Sequence, residues 1–292
     1  MDNTSHNFIS TILVTGSNGQ LGNELRVTSK QYPTYRFLFT DRNELSIENF
    51  KAVKNYFENE QIDFCINCAA YTAVDKAETE QEQAFAANAE AVGNLAQICK
   101  EHHAQFIHVS TDYVFNGNAT EPYKENDRVD PVSVYGKSKL RGEELAFNNN
   151  ASSIIIRTSW VYSSFGNNFV KTMKRLMNEK ESINVVSDQY GCPTYAADLA
   201  QVIMNIIEIE NPAPGIYNYC NEGMITWYLF ACAIKKIIKS KCIVNPIPTQ
   251  EYPTPAKRPH YSVLETSKIK NTFHITIPKW KTSLEKCMLM MN

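Results

Sequence analysis

A glycine-rich turn directly after an apolar strand is the feature that most constrains how this chain can fold. Residues 11–15 form an apolar strand pattern that is followed by three glycines, and a helical pattern begins within the turn. Without side chains such a turn stays tight, so a pyrophosphate can approach the backbone N–H groups at the helix start. A bare strand-to-helix turn is the alternative, but this context favours dinucleotide binding. The predicted cofactor residues here are Gly16, Gly19, Gln20, Leu21 and Gly22.

Strand and helix patterns alternate through the first half of the chain. Apolar strand patterns occur at 12–15, 37–40, 62–67, 106–110 and 154–157, and helical patterns at about 19–29, 47–59, 81–102 and 132–148. This alternation is typical of crossover units between parallel strands. We therefore predict an α/β protein with a doubly wound parallel sheet.

The regular alternation fades after about residue 160, which indicates a second lobe. We assign residues 1–160 to a dinucleotide-binding domain, to which residues 196–208 return, and residues 161–292 mainly to a substrate lobe. Five prolines between positions 246 and 259 predict an extended, ordered backbone suited to a wall beside a ligand. A plain structural connector is the alternative use of that segment.

Composition and charge exclude several classes of protein. With 292 residues, of which 43% are hydrophobic, the chain can bury a substantial core. A net charge of −2 provides no long-range field for a nucleic-acid backbone or an anionic bilayer, so we expect neither partner. Residues 1–7 lack the features of a secretory signal, and no apolar run reaches membrane-spanning length. We therefore expect a cytoplasmic protein.

The eight cysteines show no framework spacing and are expected to be reduced packing residues. Cys65 and Cys68 form a C-x-x-C sequence in or just after a strand, where alternation would point their side chains to opposite faces. No second pair completes a metal site, so we predict no metal ligands.

A tyrosine and a lysine four residues apart indicate a redox enzyme when they accompany the glycine-rich turn. Tyr135 and Lys139 share one face of a predicted helix, where the lysine ammonium would favour the ionised form of the phenol. The phenol would then donate a proton to a developing alkoxide near neutral pH. We expect Asp130 to cap this helix and Pro131 to occupy its first turn.

Polar or small residues follow three of the predicted strands, where open α/β sheets place their ligands. Thr111 ends the fourth strand. Asp41 ends the second, where a carboxylate would bind an adenosine ribose, whereas Arg42 beside it would favour a 2′-phosphate, so NAD and NADP both stay open. Ala69 and Ala70 follow the third strand and would let a cofactor pass close by, although small residues there also serve packing.

Further segments carry a resemblance to one family. They lie at 67–78, 110–115, 135–140, 157–162, 166–169, 188–191 and 253–259. With the glycine-rich turn, they make the chain similar to the extended short-chain dehydrogenases/reductases, and within them to the dTDP-4-dehydrorhamnose reductases. The last four segments are the most specific to that family. The resemblance implies a Rossmann-like fold with a smaller C-terminal α/β substrate lobe.

The resemblance also implies roles for residues of the catalytic centre. Tyr135 would be the general acid, and Lys139 its electrostatic partner and the holder of the nicotinamide ribose. Thr111 would contact the substrate oxygen. The implied reaction is hydride transfer from NADPH or NADH to the C4 ketone of dTDP-4-dehydro-L-rhamnose, which gives dTDP-L-rhamnose as the last step in making that activated sugar.

Other roles implied by the resemblance concern binding. Asp112 and Trp160 would contact the sugar, and Arg258 would bind the diphosphate with its planar fork of donors. A plain surface cation is the alternative for Arg258. Ser46 and Tyr71 complete the expected cofactor contacts.

Some relatives hold a magnesium ion between two subunits. Glu24 matches one of its carboxylates, but Ala197 stands where another acid would be expected. A metal-bridged dimer is therefore doubtful, and we expect a monomer or a homodimer.

Three competing functions are weighed against a reductase. Nucleotide-sugar dehydratases place a glutamate where this chain has Tyr113. An epimerase would keep its nicotinamide tightly bound and return the hydride to the same substrate. A regulatory subunit of a methionine adenosyltransferase is the non-enzyme alternative, since one relative has that role, but the intact catalytic residues favour chemistry.

Overall fold

The computed structural model describes residues 10–291. Residues 1–7, on which the expected absence of a secretory signal rests, lie outside the described residues. Within residues 10–291, none of the helices has both the length and the apolar character needed to cross a membrane.

Parallel strands form the centre of the fold. In chain order the strands are β1 Ser10–Thr15, β2 Tyr35–Thr40, β3 Phe64–Asn67, β4 Gln105–Thr111, β5 Ile154–Thr158, β6 Val161–Tyr162, β7 Ser182–Val186, β8 Tyr190–Gly191, β9 Thr194–Tyr195, β10 Gly215–Asn218, β11 Ile225–Thr226 and β12 Ile243–Ile247. Six of them make one parallel sheet in the order β2-β1-β3-β4-β5-β10. The others pair as β7 with β12, β6 with β9 and β8 with β11.

Helices cover both faces of this sheet. The helices are α1 Gln20–Thr28, α2 Phe50–Asn59, α3 Val74–Ala77, α4 Gln81–Phe85, α5 Ala91–Glu101, α6 Val134–Asn149, α7 Phe169–Glu179, α8 Ala196–Ile207, α9 Trp227–Ile238, α10 Ser267–Phe273 and α11 Trp280–Leu289. Residues of α1, α8 and α10 form the core on one face, and residues of α2, α5 and α6 form the core on the other. The predicted doubly wound α/β fold is confirmed.

Alternate residues of each central strand enter different cores. Ile12 and Val14 of β1 pack with α1 and α8, whereas Leu13 between them packs with α2 and α5. Because both faces are covered, these strands are apolar at successive positions, as parallel sheets require. A third core joins α7, α9 and α11 to β7 and β12. The division of the chain into a dinucleotide-binding domain and a substrate lobe stays a prediction.

The helix predicted at 81–102 contains a π-helical turn. Residues Ala86–Glu90 form it, between α4 and α5. The turn carries Asn88, whose buried side chain bonds to the backbone N–H and C=O of Tyr71 and donates to Ser138 Oγ at 3.0 Å. Such turns often occur at functional sites, and this one ties the loop after β3 to α6.

A buried ion pair joins α6 to β5. Arg157 and Glu143 have side chains only 2% exposed, with Nη2 of the arginine 2.6 Å from Oε2 of the glutamate. Arg157 Nε also donates to both carboxylate oxygens. Ser110 Oγ donates to Glu143 Oε1 at 2.5 Å. Because both charges are desolvated and closely paired, removing one would leave the other buried without compensation.

Replacing Glu143 with alanine should therefore lower the free energy of unfolding by about 3–5 kcal/mol. Urea denaturation followed by circular dichroism measures the loss. Glu144→Ala is the matched control, since Glu144 is the next residue along α6 and forms an exposed pair with Arg141. The control should cost less than about 1 kcal/mol. Equal losses in the two variants would contradict the structural importance of the buried pair.

Candidate active site

The carboxyl ends of the central strands open into one cavity of about 1210 Å³. It lies where the strand order reverses at β1, the place where open α/β sheets bind their ligands. Most predicted site residues line it, namely Gly16, Gly19, Gln20, Leu21, Asp41, Arg42, Ser46, Ala69, Ala70, Tyr71, Thr111, Asp112, Tyr135, Lys139 and Trp160. Gly22 and Arg258 are not part of the lining.

Close contacts require glycine in the turn after β1. Gly16 has a φ of +64°, and a Cβ at this position would lie 2.6 Å from the backbone of Ala69. A Cβ on Gly22 would lie 2.5 Å from Cα of Ser17, so this glycine serves packing behind the cavity wall. No side chain among the described residues caps the first turn of α1, which leaves its N–H groups open to an anion. The turn fits the pyrophosphate of a dinucleotide.

Asp41 and Arg42 follow β2 at the edge of the cavity. Asp41 Oδ1 accepts hydrogen bonds from two backbone N–H groups of the next turn, and Asp41 Oδ2 accepts from Asn18 Nδ2 at 2.6 Å. Arg42 is 80% exposed and pairs with Glu48 at 3.1 Å. The carboxylate therefore stabilises its own loop, while the guanidinium keeps donors available for a phosphate.

The cap of helix α6 lies three residues after the one predicted from the sequence. This cap is Ser133, whose Oγ accepts a hydrogen bond from the N–H of Gly136 at 3.1 Å. The prediction of Asp130 as the cap is therefore wrong, and Pro131 precedes the helix instead of occupying its first turn. Both Asp and Ser suit an N-cap, so the local sequence offered two starts. Tyr135 becomes the second residue of the helix.

Strand β4 and helix α6 bring Thr111, Tyr135 and Lys139 to the cavity wall. Burial raises the pKa of Tyr135 above its ordinary value, and a hydrogen bond with Thr111 acts in the opposite direction. The phenol is therefore protonated at neutral pH. A protonated phenol is the form that a general acid needs.

The expected lowering of the pKa of this phenol by Lys139 is wrong, because the pKa of Tyr135 is raised. Lys139 Nζ donates to the carbonyl of Val109 at 2.7 Å and lies 3.1 Å from His108 Nε2. Burial lowers the pKa of Lys139 itself to about 8. Helical spacing places the two residues on one face, but it does not reveal how deeply each is buried, and burial dominates here.

Asp112 is a buried carboxylic acid on the cavity wall. Its Oδ1 accepts a hydrogen bond from Thr111 Oγ1 at 3.0 Å, whereas Oδ2 has no hydrogen-bond partner among residues 10–291. Burial raises the pKa of Asp112 to about 7. An unpaired buried oxygen calls for a partner, and among the described residues the hydroxyl of Ser262 also acts on this carboxyl.

Two stacked indoles form another part of the cavity wall. The rings of Trp160 and Trp227 lie 3.6 Å apart between centroids, with an interplanar angle of 11°. Trp160 has a φ of +47°, which is strained for a bulky side chain, and a Cβ on Gly191 would lie 2.6 Å from its indole. Sequence reasoning missed Trp227, because no local pattern reveals that α9 brings it onto Trp160.

Arg258 lies behind the cavity wall. Its Nη2 pairs with Asp75 Oδ2 at 2.7 Å, and its Nη1 donates to the hydroxyl of Tyr113 at 3.3 Å. Tyr113 itself lines the cavity. In the sequence Tyr113 only distinguishes this chain from a dehydratase, and its place between the cavity and the guanidinium follows from the fold. The role of Arg258 in diphosphate binding stays a prediction.

The surroundings of Glu24 do not fit a magnesium ion. Glu24 is buried and accepts a hydrogen bond from Ser163 Oγ at 2.6 Å, and burial raises its pKa. Ala197 supplies no side-chain oxygen. Across residues 10–291, no group of three or more His, Cys, Asp or Glu side chains is arranged to hold a metal ion. No step of the chemistry below uses a metal.

Comparisons with known proteins agree with this geometry. The family model described as the RmlD substrate binding domain matches residues 10–292. The chain belongs to this family. A dTDP-4-dehydrorhamnose reductase of Aggregatibacter actinomycetemcomitans is 41% identical over 287 residues, which cover 95% of this chain and 98% of that protein.

Two solved structures resemble this member of the RmlD family closely. A dTDP-4-dehydrorhamnose reductase from Clostridium acetobutylicum superposes with a TM-score of 0.93 at 40% identity, covering 96% of this chain and 99% of that one. The enzyme of that name from Bacillus anthracis, in complex with NADP, has a TM-score of 0.92 at 36% identity, with the same coverage of 96% and 99%. The predicted family and Rossmann-like fold are confirmed.

The raised pKa of Asp112 predicts a pH-dependent stability change in Asp112→Asn. In the unfolded chain the carboxyl ionises above its ordinary pKa of 3.8, whereas in the folded protein it keeps its proton up to about pH 7. This group therefore lowers stability as pH rises between those values. Asp112→Asn should be more stable than the wild type by about 2–4 kcal/mol at about pH 8, with little difference near pH 4.

Urea denaturation at the two pH values tests this expectation. Asp130→Asn, which removes an exposed carboxylate, controls for the loss of one charge. A gain for Asp112→Asn that is the same at both pH values would contradict the assigned cause.

Proposed function

We propose that this chain reduces the C4 ketone of dTDP-4-dehydro-L-rhamnose to dTDP-L-rhamnose with NADPH or NADH, the last step in making this activated sugar. The observation that carries the proposal is one cavity that holds both an uncapped glycine-rich turn and the Thr111, Tyr135 and Lys139 cluster. Relatives 36–41% identical over nearly the whole chain are named for this reductase activity. We place the enzyme in the cytoplasm, as a monomer or a homodimer.

Tyr135 supplies the proton in this proposal. When bound, the reduced nicotinamide supplies the hydride that goes to the ketone carbon. The ketone oxygen then takes the phenolic proton of Tyr135, with Thr111 Oγ1 hydrogen-bonded to the same oxygen. Lys139 holds the nicotinamide ribose. Orientation and stabilisation of the oxyanion supply most of the acceleration, and the proton transfer adds about 10²- to 10⁴-fold.

The sugar nucleotide would contact two parts of the wall and the guanidinium behind it. Asp112 Oδ2 is the unpaired oxygen for a sugar hydroxyl. The indole of Trp160, supported by Trp227, offers an apolar surface to the C–H face of the ring. Arg258 provides positive charge for the diphosphate behind Tyr113.

The edge of the cavity after β2 favours NADPH over NADH. The oxygens of Asp41 already accept three hydrogen bonds within the protein. Arg42 has an exposed guanidinium within reach of the cavity edge. A 2′-phosphate would therefore meet a donor rather than a free carboxylate.

Arg42→Ala should raise the dissociation constant for NADPH about tenfold, because a charged hydrogen bond to the 2′-phosphate is lost. The dissociation constant for NADH should stay nearly unchanged. Titration of nicotinamide fluorescence measures both constants. The matched control is Arg36→Ala, because Arg36 is a partly exposed arginine on β2 that pairs with Glu60. Equal weakening of both cofactors by Arg42→Ala would contradict the assignment.

Tyr135→Phe should lower kcat by about 10²- to 10⁴-fold while leaving NADPH affinity within about twofold, since only the proton donor is removed. The assay follows the loss of NADPH absorbance with dTDP-4-dehydro-L-rhamnose and identifies the sugar product by NMR. Tyr56→Phe, on α2 outside the cavity lining, is the control and should keep its turnover. Undiminished turnover in Tyr135→Phe would show that another group is the acid.

The same assay separates the competing functions. Protein that retains bound nicotinamide and causes no net oxidation of added NADPH would indicate an epimerase. Co-purification with a methionine adenosyltransferase, without ketone reduction, would indicate a regulatory subunit.

A further inference from the structure

A line of hydrogen bonds runs beneath the cavity from β1 to α6. Thr15 Oγ1 donates to Asn67 Oδ1 at 2.7 Å, and Asn67 Nδ2 lies 3.0 Å from His108 Nδ1. His108 Nε2 in turn lies 3.1 Å from Lys139 Nζ. The three strand residues are direct neighbours in the register of β1, β3 and β4, and all three are fully buried. The register of the parallel strands therefore places neighbouring side chains of these three within hydrogen-bonding distance of one another.

The backbone decides which way the amide of Asn67 points. Its Oδ1 also accepts a hydrogen bond from the N–H of Ala69 at 3.2 Å. A backbone N–H can only donate, so exchanging the amide oxygen and nitrogen would bring two donors together. Nδ2 of Asn67 therefore faces His108 and donates to its Nδ1.

The imidazole of His108 carries a single proton. Burial lowers the pKa of His108 well below its ordinary value, so the ring is neutral. Because Nδ1 accepts from Asn67, the proton resides on Nε2. The Nε2–H then points at Lys139 Nζ, and this contact is a hydrogen bond only if the lysine nitrogen accepts. An ammonium has no lone pair, whereas a neutral amine has one.

Protonating Lys139 would leave two donors facing each other somewhere along the line. With the present tautomer the clash lies between His108 and Lys139. If the proton were on Nδ1 of His108, the two facing donors would be His108 and Asn67. Turning the amide of Asn67 around would instead bring its Nδ2 against the backbone N–H of Ala69. Each arrangement leaves a buried donor unsatisfied, which is costly.

We propose that His108 is a positioning residue that acts through Lys139: its Nε2–H faces the lysine nitrogen, can be accepted only by the neutral amine, and so favours that amine over the ammonium. The negative charge of a bound dinucleotide would act in the opposite direction and favour the ammonium. The inference rests on the proposed function only in taking Lys139 as a cofactor contact.

Burial is the largest influence on the pKa of Lys139 and outweighs the opposing effects of Glu143 and Cys68. Cys68, after β3, is an uncharged thiol because burial raises its pKa. Glu143, one turn further along α6, is closely paired with Arg157, which weakens its effect on Lys139. Tyr135 is protonated. The pKa of Lys139, lowered by burial to about 8 despite the opposing charge of Glu143, leaves the amine accessible in mildly alkaline solution.

The tautomer of His108 can be read directly on the wild-type protein without cofactor. Long-range proton–nitrogen NMR spectra of protein labelled with ¹⁵N at its histidines distinguish Nδ1–H from Nε2–H rings. At about pH 9 we expect the Nε2–H form for His108, identified by the signal that His108→Gln lacks, and a change in this signal as the pH falls through about 8. An Nδ1–H ring at about pH 9 would overturn the proposal.

The pH dependence of NADPH binding gives a second test that needs no sugar substrate. In the wild type, affinity should fall as the pH rises through about 8, because the amine attracts an anion less than an ammonium does. Lys139→Met should remove this fall and so assign it to the lysine. His108→Phe, which fills the space of the ring without a donor, should move the fall upward by about one pH unit.

His108→Gln, which keeps an N–H donor near the same place, should bind NADPH with a pH dependence near that of the wild type. If the decrease in NADPH affinity occurred at the same pH in His108→Phe as in the wild type, the inference would be refuted. A decrease at lower pH would also refute it, because the histidine ring would then accept a hydrogen bond from an ammonium. If wild-type protein showed the expected pH dependence of NADPH binding but did not reduce the sugar, the proposed function would be refuted. That result would still support the positioning role of His108.

Discussion

Removal of water from the carboxyl ends of β3, β4 and β5 is the condition on which the chemistry of this protein depends. Burial raises the pKa of Asp112 to about 7 and keeps the phenol of Tyr135 protonated. The same burial lowers the pKa of Lys139 to about 8. Acids and bases are thus both moved toward their neutral forms. Arg157 and Glu143 form a closely paired ion pair nearby, and their mutual contacts offset the loss of water.

The parallel sheet creates this condition and arranges the polar groups within it. Both of its faces are covered by helices, so water reaches the strands mainly at their ends. The register of β1, β3 and β4 places Thr15, Asn67 and His108 side by side. The hydrogen bonds between them continue from His108 to Lys139. A site built from strand ends is held by the whole core, which gives the precise positioning that hydride and proton transfer to one carbonyl require.

Local sequence predicted some elements well and others poorly, for identifiable reasons. The end of β1 at Thr15 was placed correctly, because the glycine-rich turn stops the strand. The start of α6 was misplaced, because Asp130 and Ser133 are both suitable caps and only the packing of the loop selects one. The π-helical turn at Ala86–Glu90 was not foreseen, because its cause is the bonding of Asn88 to Tyr71, which is distant in sequence.

The sequence by itself determined the class of fold, the family and the identity of the reacting side chains, because these depend on periodicity, turn chemistry and motif spacing along the chain. The tertiary structure alone decided which groups carry charge and which residues meet across the cavity. Trp227 joins Trp160, and His108 joins Lys139, only after separate elements pack together. A pKa depends on the water and the charges that surround a group in three dimensions, and spacing along a helix does not contain that information.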